Sequence, residues 1–325
     1  MGGPDFTLAT PAKETMTLLD LYTPAGVLPN SAPLRLAAKR LTALGYQVRT
    51  DDSALAKHQR FGGDDATRLK ALHRVAEHSP SVAMATRGGY GITRLLDGID
   101  WRLLAHSVER GTRWVGHSDL TALQIGLLAH TGAGSWAGPM AADDFGRTID
   151  PEADNAAELT EDYEITRDCF VEAMAGELEA VGFRTEAGHD GLSVRGPLWG
   201  GNLEMLCSML GTRHWPAPKL LDGGILFVED VNAHPYRIER CLLQLQQAGV
   251  LARQKAVLLG TFSAWKPSPL DRGYSLKSVW QRLRATVDVP LLTGLPFGHV
   301  QPKLTLPVGR RVQVLVDGRE VLVGW

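Results

Sequence analysis

Short apolar runs alternate with amphipathic stretches along the first half of the chain. "MTLLDLY" (16–22) reads as a buried strand closed by the turn "TPAGVLPN". Asn30 stands where a helix cap belongs, ahead of "SAPLRLAAKRLTAL", and Gly45 ends that helix. "YQVRT" (46–50) is a strand, and "DDATRLKALHRVAEH" (64–78) is a helix with acids in its first turn and an apolar stripe at Leu69, Leu72 and Val75. "SVAMAT" is a strand, "GITRLLDGI" a helix, "RWV" a short strand and "DLTALQIGLLAH" a helix. Alternation with short connections predicts right-handed crossovers and a mainly parallel sheet over residues 16–150.

The pattern weakens after "GPMAADDF". Residues 147–162, "RTIDPEADNAAELTED", are polar and acid-rich, which predicts a linker or surface loop, and 151–180 is assigned to that region. Residues 181–325 resume with "GPLWGGNLEMLCSMLGT", a turn leading into a helix. "GGILFVED" and "KAVLLGTF" are strands; "PYRIERCLLQLQQAG" and "SLKSVWQRLRATV" are helices. "RRVQVLVDGREVLVGW" predicts a hairpin turning at Asp317-Gly318. This mixture predicts a second, smaller α/β domain, and residues 1–15 are expected to form a flexible tail.

Composition supports two domains without narrowing the chemistry. The 325 residues are 44% hydrophobic, enough for two cores. Thirty-four basic against 36 acidic side chains leave a net charge of -2, which argues against a nucleic-acid partner. No apolar run approaches the ~18 residues of a membrane span, so no membrane partner is expected. The N-terminal stretch has no basic start, and Asp20 interrupts its apolar run, which argues against a signal peptide and for a cytoplasmic protein. Cys169, Cys207 and Cys241 are scattered, with no C-x-x-C, so neither a disulfide framework nor a zinc site is expected.

Two strand ends carry unusual turns. "SVAMAT" runs into Arg87-Gly88-Gly89-Tyr90-Gly91, and "RWV" into Gly116-His117-Ser118-Asp119. In an open parallel sheet the carboxyl ends of strands face the ligand crevice. "RGGYG" fails both the G-x-G-x-x-G and the P-loop spacing. It is either a tight turn that needs positive φ or a place where backbone N–H groups approach a reacting oxygen. Ser118 is either the cap of the following helix or a nucleophile exposed on a strand-to-helix turn. In the second case the Asp119 N–H is a natural oxyanion donor.

A serine nucleophile needs a base, and the base needs an orienting acceptor. His117 is adjacent to Ser118 but points to the opposite side of an extended strand, so it reads as a packing residue. Two other histidines lie on turn-rich loops: His234 in "EDVNAHPY" and His299 in "TGLPFGHVQPKLTLPVG". "GGILFVED" runs a strand into Glu229 and Asp230. Glu229 either pairs with Arg237 or Arg240, or caps the next helix, or holds a histidine ring. In the last case Ser118, His299 and Glu229 form a triad between the domains; Asp230 is the alternative acid.

Taken together, "RGGYGITRLLDGIDW", "GHSDLTALQIGLL", "GPLWGGNLEML", "ILFVEDVNAHPYRIERCLLQL", "RQKAVLLGTFS" and "LPFGHVQPKLTLPVG" resemble the LD-carboxypeptidases of bacterial cell-wall recycling, most closely the cytoplasmic type of Gram-negative bacteria. The resemblance covers the chain from about Leu18 to near its end. It implies a flavodoxin-like N-terminal domain, a smaller C-terminal α/β domain and a homodimer. It implies a Ser-Glu-His triad at Ser118, Glu229 and His299, with the backbone N–H groups of Gly89 and Asp119 as oxyanion donors. The implied reaction removes the terminal D-alanine from murein tetrapeptide, at the bond from the L-centre of meso-diaminopimelate, with no metal and no cofactor.

An exopeptidase also needs a cation or backbone donors for the terminal carboxylate. Arg87 is the candidate, with Arg237 and Arg240 behind it, and Tyr90 and Trp199 are candidates for the groove wall. Three alternatives stay open. One is a microcin-immunity hydrolase of the same family, which needs an aromatic side chain to stack on adenine. The others are a muropeptide-binding module without activity and a nucleotide binder.

Overall fold

The structure is a computed structural model that describes residues 17–325, so the tail expected over 1–15 lies outside the described residues. Five strands come from the first half: β1 (Thr17–Tyr22), β2 (Tyr46–Thr50), β3 (Val82–Ala85), β4 (Arg113–Gly116) and β5 (Ser135–Ala137). Eight follow: β6 (Ala180–Arg184), β7 (Ser193–Asn202), β8 (Gly224–Val231), β9 (Gln254–Ser263), β10 (Leu291–Thr293), β11 (Leu306–Val308), β12 (Arg311–Asp317) and β13 (Glu320–Gly324). The helices are α1 (Ala32–Ala43), α2 (Asp65–His78), α3 (Trp101–Glu109), α4 (Leu120–Thr131), α5 (Ala156–Ala175), α6 (Leu203–Met209), α7 (Pro218–Leu221), α8 (Pro235–Gln247) and α9 (Leu276–Arg284).

The first sheet runs β11-β5-β4-β3-β1-β2. Its five first-half strands are parallel, in the flavodoxin-like order 2-1-3-4-5. The order reverses between β1 and β3, so the ligand crevice opens at their carboxyl ends, where Arg87–Gly91 leaves β3 and Ser118 leaves β4. The second sheet runs β10-β9-β8-β7-β12-β13-β6. Its β7–β10 half is parallel and its β12-β13-β6 half is antiparallel.

Helix α4 explains how the two sheets meet. Every residue from Leu120 to Leu128 is buried. A helix that is apolar on all sides is stable only when covered on all sides. One cluster accordingly joins Leu120, Leu123 and Leu127 to Trp199, Leu203 and Leu206 from the other domain. Thr121 makes a polar contact between them, accepting the Asn202 N–H at 3.0 Å. Gly201 must lack a side chain there, because a Cβ would sit 2.4 Å from Thr121 Oγ1. The helix that begins just after Ser118 is therefore the middle layer of the molecule.

Several expectations are corrected. The stretch read as a linker carries the 20-residue α5. Its apolar stripe, Phe170, Ala173 and Met174, packs on Leu19, Leu21 and Met84 of the first domain. The chain also returns from the second domain to add β11 antiparallel to β5. "GITRLLDGI" forms two short 3-10 turns rather than a helix. "GPLWGGN" is the end of β7, where a Cβ on Gly200 would lie 1.9 Å from the Phe227 carbonyl oxygen of the adjacent strand. The terminal hairpin pairs Asp317 with Glu320, so its two-residue turn is Gly318-Arg319, one position later than expected. No helix among the described residues is long and apolar enough to cross a membrane.

Candidate active site

Ser118 does not cap the helix. Asp119 occupies the cap position of α4, and no side-chain cap hydrogen bond is made there. Ser118 instead holds a left-handed backbone, φ +62. That conformation is costly for a residue with a Cβ and persists only where neighbours impose it. Here the neighbours are glycines. A Cβ on Gly116 would meet Leu120 Cδ2 at 2.4 Å, and a Cβ on Gly88 would meet Ser118 Cβ and Oγ at 2.8 Å. Gly88→Ala should therefore cost about 1–3 kcal/mol by overpacking. It should also slow labelling of Ser118 by a serine-directed phosphonate about 10²-fold, the expected effect of displacing a reacting atom by an ångström. Unchanged melting and labelling would show that the contact is soft.

The second domain brings two side chains to this hydroxyl. The Ser118 hydroxyl donates to His299 Nε2 at 2.9 Å. The His299 Nδ1–H donates to Glu229 Oε2 at 2.8 Å. Glu229 is fully buried, and its other oxygen accepts the Asn202 Nδ2–H at 3.1 Å. The charge is thus paired on both oxygens, as a buried carboxylate requires. Glu229 lies at a register shift between β8 and β9, a bulge that re-aims its side chain. Two glycines leave room for it. A Cβ on Gly298 would lie 3.3 Å from Glu229 Oε2, and one on Gly260 would lie 3.4 Å from Glu229 Cβ.

The oxyanion candidates lie on the two turns and are free to donate. Among the described residues, no protein acceptor takes the backbone N–H of Gly89 or Asp119. The two turns are braced together: Asp119 Oδ2 accepts the Ile92 N–H at 2.8 Å. Buried Arg68 donates to the carbonyls of Pro24 at 2.9 Å and Gly91 at 2.8 Å. Burial pushes the Asp119 carboxyl from 3.8 up to about 6, although donation from Ile92 pulls the other way. The unfolded chain loses this proton near 3.8 while the native state keeps it to about 6. Native protein binds more protons in that window, so stability falls as pH rises through it and levels off above. In urea unfolding from about pH 4 to pH 7, Asp119→Asn should decline by about 1–3 kcal/mol less than the unmodified protein, the remainder belonging to other buried carboxyls such as Asp230. Parallel curves would contradict this.

The remaining candidates fall on different sides of the site. His117 is buried, donates from Nδ1 to the Gly138 carbonyl at 3.0 Å, and packs edge-on to His299 with ring centroids 5.0 Å apart. Burial and the nearby Lys303 charge hold it well below the usual histidine range. Its Nε2 accepts from buried Lys303 at 3.1 Å, and Lys303 also donates to Asp144 at 2.7 Å. His234 stands apart from the triad and pairs with Asp271 at 3.1 Å. Asp230 accepts the backbone N–H groups of Glu204 and Val231. Arg87 donates to the Val27 carbonyl at 2.9 Å, which anchors the turn. Tyr90 is 46% exposed and lines a groove with Arg237 and Arg240. Trp199 corrects the groove-wall expectation. It is fully buried, donates to Gln254 Oε1 at 2.9 Å and packs edge-on to Trp215, because its face of β7 looks into the shared core.

Sequence reasoning missed Asn202 and Lys303 as parts of this site. Asn202 read only as a helix entrance, and it does cap α6 through Oδ1, which accepts from Met205 N at 3.2 Å. For Lys303 the signal was a cation between buried positions in "PKLTLP". Among the described residues, no group of three or more His, Cys, Asp or Glu converges as a metal site.

Comparison with known proteins agrees with this architecture. Residues 20–138 match the LD-carboxypeptidase N-terminal domain, and residues 195–314 match the LD-carboxypeptidase C-terminal domain. The probable murein peptide carboxypeptidase of Bacillus subtilis (strain 168) is 29% identical over 286 residues, 87% of this chain and 84% of that protein. Muramoyltetrapeptide carboxypeptidase from Oxalobacter formigenes superposes at a TM-score of 0.82 with 37% identity, covering 95% of this chain and 99% of that one. The microcin C7 self-immunity protein MccF in complex with aspartyl sulfamoyl adenosine shares the fold at a TM-score of 0.81 and 19% identity, over 95% of this chain and 96% of that one.

Proposed function

Because this chain belongs to the LD-carboxypeptidase family of peptidases, we propose that it is a serine LD-carboxypeptidase. On this reading it removes the terminal D-alanine from murein tetrapeptide, free or attached to a muropeptide, in peptidoglycan recycling in the cytoplasm. The bond cut joins the L-centre of meso-diaminopimelate to D-alanine. The observation that carries the reading is the unbroken chain from Ser118 Oγ through His299 to Glu229, at 2.9 and 2.8 Å.

Each residue then has one job. His299 Nε2 takes the Ser118 proton as Oγ attacks the carbonyl carbon. The amides of Gly89 and Asp119 donate to the oxyanion that forms, and they are already in place before the charge develops. Glu229 keeps the His299 proton on Nδ1 and stabilises the imidazolium. His299 then gives its proton to the departing D-alanine amine, leaving an acyl group on Ser118. Water, activated by the same imidazole, releases the tripeptide and restores the serine.

The test is D-alanine release from purified murein tetrapeptide, run beside turnover of a microcin-type aminoacyl nucleotide. The expected result is D-alanine from the first. Turnover of the nucleotide alone would move the reading to the immunity branch. No release from either, together with no phosphonate adduct at Ser118, would overturn serine hydrolysis itself.

A further inference from the structure

A groove of about 480 Å³ between Tyr90 and the start of α8 holds charges that the reaction above does not use. Arg60 and Tyr90 reach it from the first domain; Glu204, Asp230, Arg237 and Arg240 reach it from the second. Two of its lining residues adjoin the site in the chain: Asp230 follows Glu229, and Tyr90 follows Gly89. Asp230 is 4% exposed and anchored by two backbone donors, at 3.1 and 2.7 Å. Burial and the adjacent Glu229 charge push its carboxyl up to about 7. An ammonium is the kind of partner that holds such a group ionised.

The cations are uncommitted. Among the described residues, no carboxylate or carbonyl lies within hydrogen-bond distance of the guanidinium groups of Arg60, Arg237 or Arg240. Arg60 only lies over the Tyr90 ring at 5.9 Å, and Arg240 over the Tyr236 ring at 5.7 Å. A ligand of one sign would be attracted by part of this lining and repelled by the rest. A group that carries both signs on one carbon can be matched by both.

We propose that this groove is a subsite for an amino-acid zwitterion, with the ammonium on Asp230 and the carboxylate on Arg237 and Arg240. Resting on the reading above, the zwitterion is the D-centre of meso-diaminopimelate, three methylenes from the carbon whose acyl group meets Ser118. The subsite then selects the third residue of the peptide. Lysine offers the ammonium without the carboxylate, and 2-aminopimelate offers the carboxylate without the ammonium.

Calorimetric binding to Ser118→Ala protein tests this with three tetrapeptides, carrying meso-diaminopimelate, L-lysine or L-2-aminopimelate at the third position. The diaminopimelate peptide should bind about 10–100-fold tighter than either, the worth of one charge-assisted pair. Adding Arg237→Ala and Arg240→Ala should abolish its advantage over the lysine peptide. Adding Asp230→Asn instead should abolish its advantage over the aminopimelate peptide. Equal binding of all three peptides would overturn the subsite, as would an arginine effect of the same size on the lysine peptide. D-alanine release by the unmodified enzyme is read separately. Release without any binding preference sinks the subsite alone, and the preference without release keeps the subsite and sinks the reaction.

Discussion

Ser118→Ala is expected to lower D-alanine release by about four to six orders of magnitude, because removing the nucleophile of a concerted triad costs nearly as much as removing the whole triad. Melting should stay close to that of the unmodified protein. Alanine keeps the Cβ, and with it the backbone strain of the +62 φ. Among the described residues, the only hydrogen bond lost is the part-buried one to His299 Nε2. Ser118→Gly makes a useful partner experiment. It should be equally inactive yet about 1 kcal/mol more stable in urea, since glycine adopts a left-handed backbone without the Cβ clash. Activity within tenfold of the unmodified enzyme in either variant would remove Ser118 from the chemistry. A Ser118→Gly protein no more stable than Ser118→Ala would show that the turn stores no strain.

How much of this was legible beforehand depended on whether the determining forces were local. The parallel sheet and the turns after β3 and β4 were legible because short continuous apolar runs and glycine-rich turns are written in consecutive residues. The triad geometry was legible at a coarser level. A serine on a strand-to-helix turn, a carboxylate ending a strand and a histidine on a scaffolded loop each have few structural uses, and the ordered motifs joined them. The helix α5 was missed because its first ten residues are acid-rich, and its buried stripe, Cys169, Phe170, Ala173 and Met174, begins beyond that window.

Trp199 and the polar supports failed for a different reason. Which face of β7 is buried depends on β8, β12 and the α4 layer, none of which is sequence-local. Glycines at Gly196, Gly200 and Gly201 also disguised β7 as a turn. The Asp144–Lys303–His117 chain joins the residues after β4, after β5 and after His299. No spacing rule links those segments. His117 already reads as a packing residue in the sequence; the closed fold adds that it packs on His299 and accepts from Lys303.

Glu229→Gln is the second large effect, and the surrounding hydrogen bonds dictate its size. The glutamine is nearly isosteric, so the fold should survive. Its amide, however, has one acceptor where the carboxylate has two. Asn202 presents Nδ2–H to Glu229 because its own Oδ1 is taken by the Met205 N–H as the cap of α6. If the glutamine oxygen faces Asn202, its NH2 faces His299 Nδ1, and the ring proton must move to Nε2. The ring then cannot accept the Ser118 proton. If the oxygen faces His299, two NH2 groups confront each other in a fully buried site, unless Asn202 flips and uncaps α6. The first outcome costs activity, about 10³–10⁴-fold in kcat with little change in KM, because the base is in the wrong tautomer. The second costs stability, about 1–3 kcal/mol for the unpaired buried donors. Steady-state kinetics and urea unfolding on the same preparation separate the two. Adding Asn202→Asp, whose carboxylate accepts from the glutamine NH2, should restore stability in the second case and raise kcat in the first, by turning the glutamine oxygen to the His299 Nδ1–H. A Glu229→Gln enzyme with unchanged kcat and unchanged stability would mean that His299 is oriented by something other than Glu229.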